Sequence, residues 1–177
     1  MKENDLPAPD NLFVDLPAGV RSVLLIQTAQ AIDSGTNPFK ENLTNLPLSV
    51  RLDFVIDSLE MGRKLALPYR QAALEIDQRL GERLTQAQKF EKSNDIQSAI
   101  TLYEQNISDG FLASLPYERL RIIYEKKKDY QNAIRVCKRY IEILQMVSEI
   151  WAQYPNIRQI PKYQENIKRL CAKLKAG

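Results

Sequence analysis

The chain matches itself when slid by 34 residues. Phe90-Glu-Lys-Ser-Asn-Asp-Ile-Gln-Ser-Ala-Ile100 aligns with Tyr124-Glu-Lys-Lys-Lys-Asp-Tyr-Gln-Asn-Ala-Ile134, and six of the eleven positions are identical. These are Glu91/Glu125, Lys92/Lys126, Asp95/Asp129, Gln97/Gln131, Ala99/Ala133 and Ile100/Ile134. A period of this length marks a supersecondary unit that cannot bury its apolar face alone and must stack on a neighbour.

The pattern within each unit reads as helix, tight turn, helix. In the first, a helix ends near Lys92, Ser93-Asn94 turn the chain, and Asp95 caps the next helix by accepting backbone N–H bonds. Ile96, Ala99, Ile100, Tyr103 and Ile107 then form a buried face. In the second, Ser114 and Pro116 open a helix whose inner side carries Leu120, Ile123 and Tyr124. Lys127-Lys128 turn the chain, and Asp129 caps a helix with Tyr130, Ala133, Ile134, Cys137, Tyr140, Ile141 and Leu144 inward. Two helices joined so tightly lie close and antiparallel, which requires the small Ala99 and Ala133 at the crossing, beside Phe90 and Tyr124.

These features resemble the tetratricopeptide repeat (TPR). The segment Tyr117-Glu-Arg-Leu-Arg-Ile-Ile-Tyr-Glu-Lys-Lys-Lys-Asp-Tyr-Gln-Asn-Ala-Ile-Arg carries the likeness most closely, and it extends over about residues 80–147. The sequence departs from the pattern at Arg83, where an aromatic is common, and at Arg121, where a small residue is. The resemblance implies an all-α, right-handed stack of antiparallel helix hairpins, with N-terminal helices at one end and a C-terminal capping helix at the other. It also implies a concave groove lined by Leu84, Gln88, Glu91 and Lys92 of one unit and Glu118, Ile122, Glu125 and Lys126 of the next. On that surface Glu118 and Glu125 would repel a terminal carboxylate, so a partner with cationic and apolar side chains is expected. A third unit, with Trp151 under Tyr117 and Cys171 under Cys137, meets Pro155 and Pro161. The alternative is that the helix after Asp129 runs to about Gln153, and a last helix over about 161–175 (Ile160, Tyr163, Ile167, Leu170, Leu174) packs as a cap.

Before the repeats, residues 1–17 read as an extended arm with three prolines, from which Leu12, Phe13, Val14 and Leu16 can lie against the body. Residues 18–79 read as an N-terminal helical segment packing on the repeat region, 80–177. Within it a helix is expected over about 18–33 (Val20, Val23, Leu24, Gln27, Ala31, Ile32), stopped by Gly35. A polar loop follows over Ser34 to Asn45, then a helix over about 48–66 carrying Leu52, Val55, Ile56, Leu59 and Arg63. Pro68 stands where another helix would begin. That helix runs to about 92 as one element, or as two broken near Gly81.

The chemistry expected of this chain is binding rather than catalysis. Its 177 residues contain no histidine, which removes the commonest general base and metal ligand. Only six glycines argue against phosphate-cradling loops. Cys137 and Cys171 form no CxxC pair; a disulfide between them stays open, but both sit at apolar helical positions and read as small buried thiols. Carboxylates sharing helix faces, Asp53/Asp57 and Asp57/Glu60, read as solvated. No catalytic residue, metal or cofactor is expected.

The start, Met1-Lys2-Glu3-Asn4-Asp5, lacks an apolar signal stretch, and the aliphatic run Val23-Leu24-Leu25-Ile26 is too short for a bilayer. No membrane association and a cytoplasmic location are expected. The partner is expected to be a protein or peptide, or a second copy of the chain. Charge supplies an alternative: residues 1–79 hold 8 Lys and Arg against 11 Asp and Glu, whereas 80–177 hold 17 against 11. Lys126-Lys127-Lys128 together with Arg135, Lys138, Arg139, Lys168, Arg169, Lys173 and Lys175 make the second half basic, as a nucleic-acid-associated accessory protein would require.

Overall fold

The computed structural model describes residues 6–33, 59–151 and 154–176. It contains six α-helices and no strand among the described residues: α1 Ala18–Asp33, α2 Leu59–Lys92, α3 Ile96–Ser108, α4 Ser114–Lys126, α5 Tyr130–Ile150 and α6 Ile160–Ala176. None of them is long and apolar enough to cross a membrane. The chain divides between Gln78 and Arg79, inside α2, into two compact units.

In the first unit the arm is folded rather than extended. Pro9–Asn11 form a 3-10 turn, and Phe13 adopts a left-handed backbone conformation at φ 59°. Leu12 is buried, but Val14 points to solvent. Arg21 of α1 gathers the turn: its Nε donates to the Leu12 carbonyl at 2.9 Å, and Nη2 donates to those of Pro9 and Asp10. Tyr69 Oη donates to the Pro7 carbonyl at 2.8 Å. Hydrogen bonding to a fixed guanidinium and phenol thus replaces the backbone pairing that an extended segment would need. α1 spans the expected residues but buries Ser22, Leu25, Thr28 and Ala29 as well as Val20, Leu24 and Ile32.

Pro68 lies inside α2 instead of starting a helix. Proline in a helix interior costs about 3 kcal/mol, because it removes a backbone bond and crowds the preceding turn. The buried stripe Leu65, Ala66, Tyr69, Ala73 and Ile76 continues across it and offsets that cost. Gly81 does not break the helix either. The expectations over residues 34–58, including Gly35, the Asp53/Asp57 pair and the start of a helix near 48, lie outside the described residues.

In the second unit the sequence period is also a geometric period. Asn94 and Lys128, 34 residues apart, both take left-handed conformations, at φ 64° and 59°. Asp95 N donates to the Phe90 carbonyl, and Asp129 N to that of Tyr124, each at 2.9 Å. These bonds close the helix ends in the Schellman pattern. The same aspartates then open the following helices: Asp95 Oδ1 accepts from Ser98 N at 3.2 Å, and Asp129 Oδ1 from Asn132 N at 3.1 Å. One residue therefore completes one helix and begins the next. Ala99 and Ala133 are fully buried in one core with Ala87, Tyr103, Leu120, Cys137 and Leu144.

α5 stops at Ile150 and α6 begins at Ile160, which resolves the two readings of the C-terminal region in favour of a run-on helix and a separate last one. Trp151 is 41% exposed; the aromatic that α6 contributes is Tyr163. Its ring lies 4.7 Å from that of Tyr140, which in turn lies 4.4 Å from Tyr117. This stack ties α4, α5 and α6 together. Val136, Ile143 and Val147 of α5 are buried as well, which widens its expected apolar stripe.

Candidate functional site

Gln88, Glu91 and Lys92 of α2 line a groove of about 350 Å³ with Tyr103, Leu115 and Arg119. Glu91 organises it. Arg119 grips the carboxylate with both ends of its guanidinium, Nε donating to Oε2 at 3.0 Å and Nη2 to Oε1. Tyr103 Oη donates to Oε2 at 2.9 Å. The Arg119 hydrogen bonds hold the Glu91 carboxyl below the usual carboxylate range.

Of the α4 residues expected in the groove, Glu118 and Glu125 pair with α6. Glu125 turns toward α6, where Arg169 takes it in a second two-ended grip, with Nη2 at 2.9 Å from Oε2. Lys173 Nζ donates to Oε1 at 2.7 Å, and Arg121 Nη1 to Oε2 at 3.0 Å. The Arg169 bonds, reinforced by Lys173, lower the Glu125 pKa from 4.5 to about 2. Glu118 pairs with Lys162 of α6 at 3.3 Å. Leu84 is packed against the core and Ile122 is half-buried. Lys126 is exposed and acts on Glu91 through space.

This arrangement corrects the expected electrostatics. Glu118 and Glu125 are not free acceptors that would repel an incoming carboxylate; each is matched by cations of the following helix. Arg119, Arg169 and Lys173 were missed among the groove residues. Arg119 stands one position from Glu118, on a face that the repeat does not mark. Arg169 and Lys173 follow the connection before α6, which shifts that helix out of the 34-residue register.

A wider cleft of about 830 Å³ lies between α3 and α5, with Ile107 and Ile134 in its lining and Arg135, Lys138 and Arg139 around it. Its arginines fasten the two helices. Arg135 pairs with Glu104, which also accepts from Tyr124 Oη at 2.6 Å. Arg139 pairs with Glu142 at 3.4 Å and donates to the Ile107 and Ser108 carbonyls at the end of α3.

Both cysteines are free, and burial pushes the Cys137 thiol up to about 11, which makes it a poor nucleophile. Among the described residues no group of three or more Cys, Asp or Glu could hold a metal ion. No protein-family model, curated protein or solved structure matches the chain.

Proposed function

We propose that this chain is a non-catalytic interaction module. In this reading its second unit is a right-handed, TPR-like stack of helix hairpins that binds a segment of another protein on the face formed by α2, α4 and α6. The observation that carries the reading is the repeated hairpin: the same turn dihedrals, the same aspartate cap and the same buried alanine recur at an interval of 34 residues. Successive hairpins leave a groove between their first helices, and here it is bounded by Gln88, Glu91 and Lys92 on one side and Leu115 and Arg119 on the other. Its volume suits a few side chains of an extended or helical segment rather than an enclosed substrate.

Affinity purification from the native source, followed by mass spectrometry, tests this. A photo-crosslinking residue at position 88 is expected to attach covalently to the partner. Gln88→Glu/Lys92→Glu, which disturbs no ion pair among the described residues, is expected to lose the same partner while keeping its helical circular dichroism. Identical partner sets for the two proteins would remove the groove from consideration.

A further inference from the structure

The contacts between α2, α4 and α6 join an unequal set of charges. Three carboxylates, Glu91, Glu118 and Glu125, sit among five cations that pair with them: Arg119, Arg121, Lys162, Arg169 and Lys173. Lys92 and Lys126 lie on the same surface, and neither forms an ion pair among the described residues. The imbalance peaks at Glu125, where one carboxylate meets Arg121, Arg169 and Lys173 together. Arg169 and Lys173 remain 41% and 44% exposed, so that cluster is open to an arriving ligand.

We propose that this surface takes an acidic peptide segment, and that Glu125 is an internal stand-in for a ligand carboxylate at the Arg121–Arg169–Lys173 cluster. The proposal rests on the groove reading above and names the chemistry of its partner. Two-ended arginine contacts match the planar geometry of a carboxylate, and both Arg119 and Arg169 already make them to the chain's own acids. A continuous phosphate backbone suits the surface less well, because Glu91, Glu118 and Glu125 divide the cations into separate clusters rather than an unbroken track. Single-strand binders also present aromatic rings to the bases, whereas Tyr103, Tyr117, Tyr140 and Tyr163 are buried. Leu115 in the groove wall supplies apolar contact beside the charges.

The test is fluorescence anisotropy with the full chain and three labelled dodecapeptides of equal leucine content, rich in glutamate, glutamine or lysine. The glutamate peptide is expected to bind best at about 50 mM salt and to weaken strongly at about 500 mM, because screening removes contacts between exposed charges. Glu125→Gln is expected to tighten it about tenfold, since charge-assisted contacts become available to the ligand. Lys92→Ala/Lys126→Ala, which breaks no ion pair among the described residues, is expected to weaken it about tenfold and keeps the question answerable if Glu125→Gln fails to fold.

Equal binding of the glutamine peptide, or no gain in folded Glu125→Gln, would overturn the proposal. So would tighter binding of a thymidine oligonucleotide, which would assign the surface to nucleic acid. If no peptide binds but Gln88→Glu/Lys92→Glu still loses the native partner, the acidic class falls and the groove stands. If that partner is retained, the groove falls as well.

Discussion

At the scale of single residues, the tyrosine stack contains a hydroxyl that the fold leaves unanswered. Tyr140 Oη and Tyr163 Oη each donate to a carbonyl of the α3–α4 connection or the start of α4, at 3.4 Å, whereas the buried Tyr117 Oη has no partner among the described residues. A buried polar group without a partner costs about 1–3 kcal/mol. Tyr117→Phe keeps the ring contact with Tyr140 and deletes that group. Its midpoint in urea is therefore expected to rise, by up to about 1 kcal/mol of stability; a fall would mean that the hydroxyl is bonded in solution. Nothing in the sequence foretells this, because a tyrosine at helical spacing gives the ring's place and not the company of its oxygen. Asn106 is a similar case: fully buried at a position that the apolar pattern passes over, it donates to the Leu80 carbonyl at 3.3 Å. Asp95 and Asp129 were legible for the opposite reason. A cap acts on backbone three residues away, so its evidence lies within one short stretch of chain.

At the scale of elements, two substitutions separate open space from close packing. A methyl group at Gly81 would meet nothing within 4 Å, and Gly81 sits inside α2. Gly81→Ala is expected to stabilise the protein by about 0.5–1 kcal/mol through the unfolded chain's lost freedom, read as a higher melting temperature. Ala133→Leu is expected to cost about 1–3 kcal/mol, since Ala133 is fully sealed in the core. Equal melting temperatures for Ala133→Leu and wild type would deny a close crossing there. Helix boundaries in the second unit followed from the sequence wherever a capping aspartate or an opening proline marked them. α2 did not, because Pro68 is a local stop signal outweighed by burial on either side of it, and a local reading has no access to that burial. α5 exposed the same limit: one stripe, Ala133 to Leu144, was readable, but Val136, Ile143 and Val147 beside it are buried too, so the buried face is wider than the stripe.

At the scale of the repeat unit as a whole, the acid pairs make stability depend on pH. Glu125 is depressed from 4.5 to about 2 by Arg169 and Lys173 of α6, and Glu91 is lowered by Arg119 of α4. A carboxyl lowered by folding stabilises fully above its unfolded pKa, and that share is lost as pH falls through the folded value. The melting temperature of wild type is therefore expected to exceed that of Glu125→Gln near neutrality, with the gap closing between about pH 5 and about pH 2. A gap unchanged over that range would show that the Arg169 grip is not made in solution. The groove shared this mixture of legible and hidden parts: Gln88, Glu91 and Lys92 came from the repeat, whereas Arg119, which answers Glu91, stands on a face of α4 that the repeat does not mark, and Arg169 and Lys173 belong to a helix outside the 34-residue register. The double duty of Asp95 and Asp129 carries a consequence for how such a chain can diversify. A seam with no spare residue cannot lengthen without uncapping a helix, so insertions are barred from both hairpin corners. Variation in length in the passage between α5 and α6 leaves both corners as they are, and each residue gained there re-aims Arg169 and Lys173.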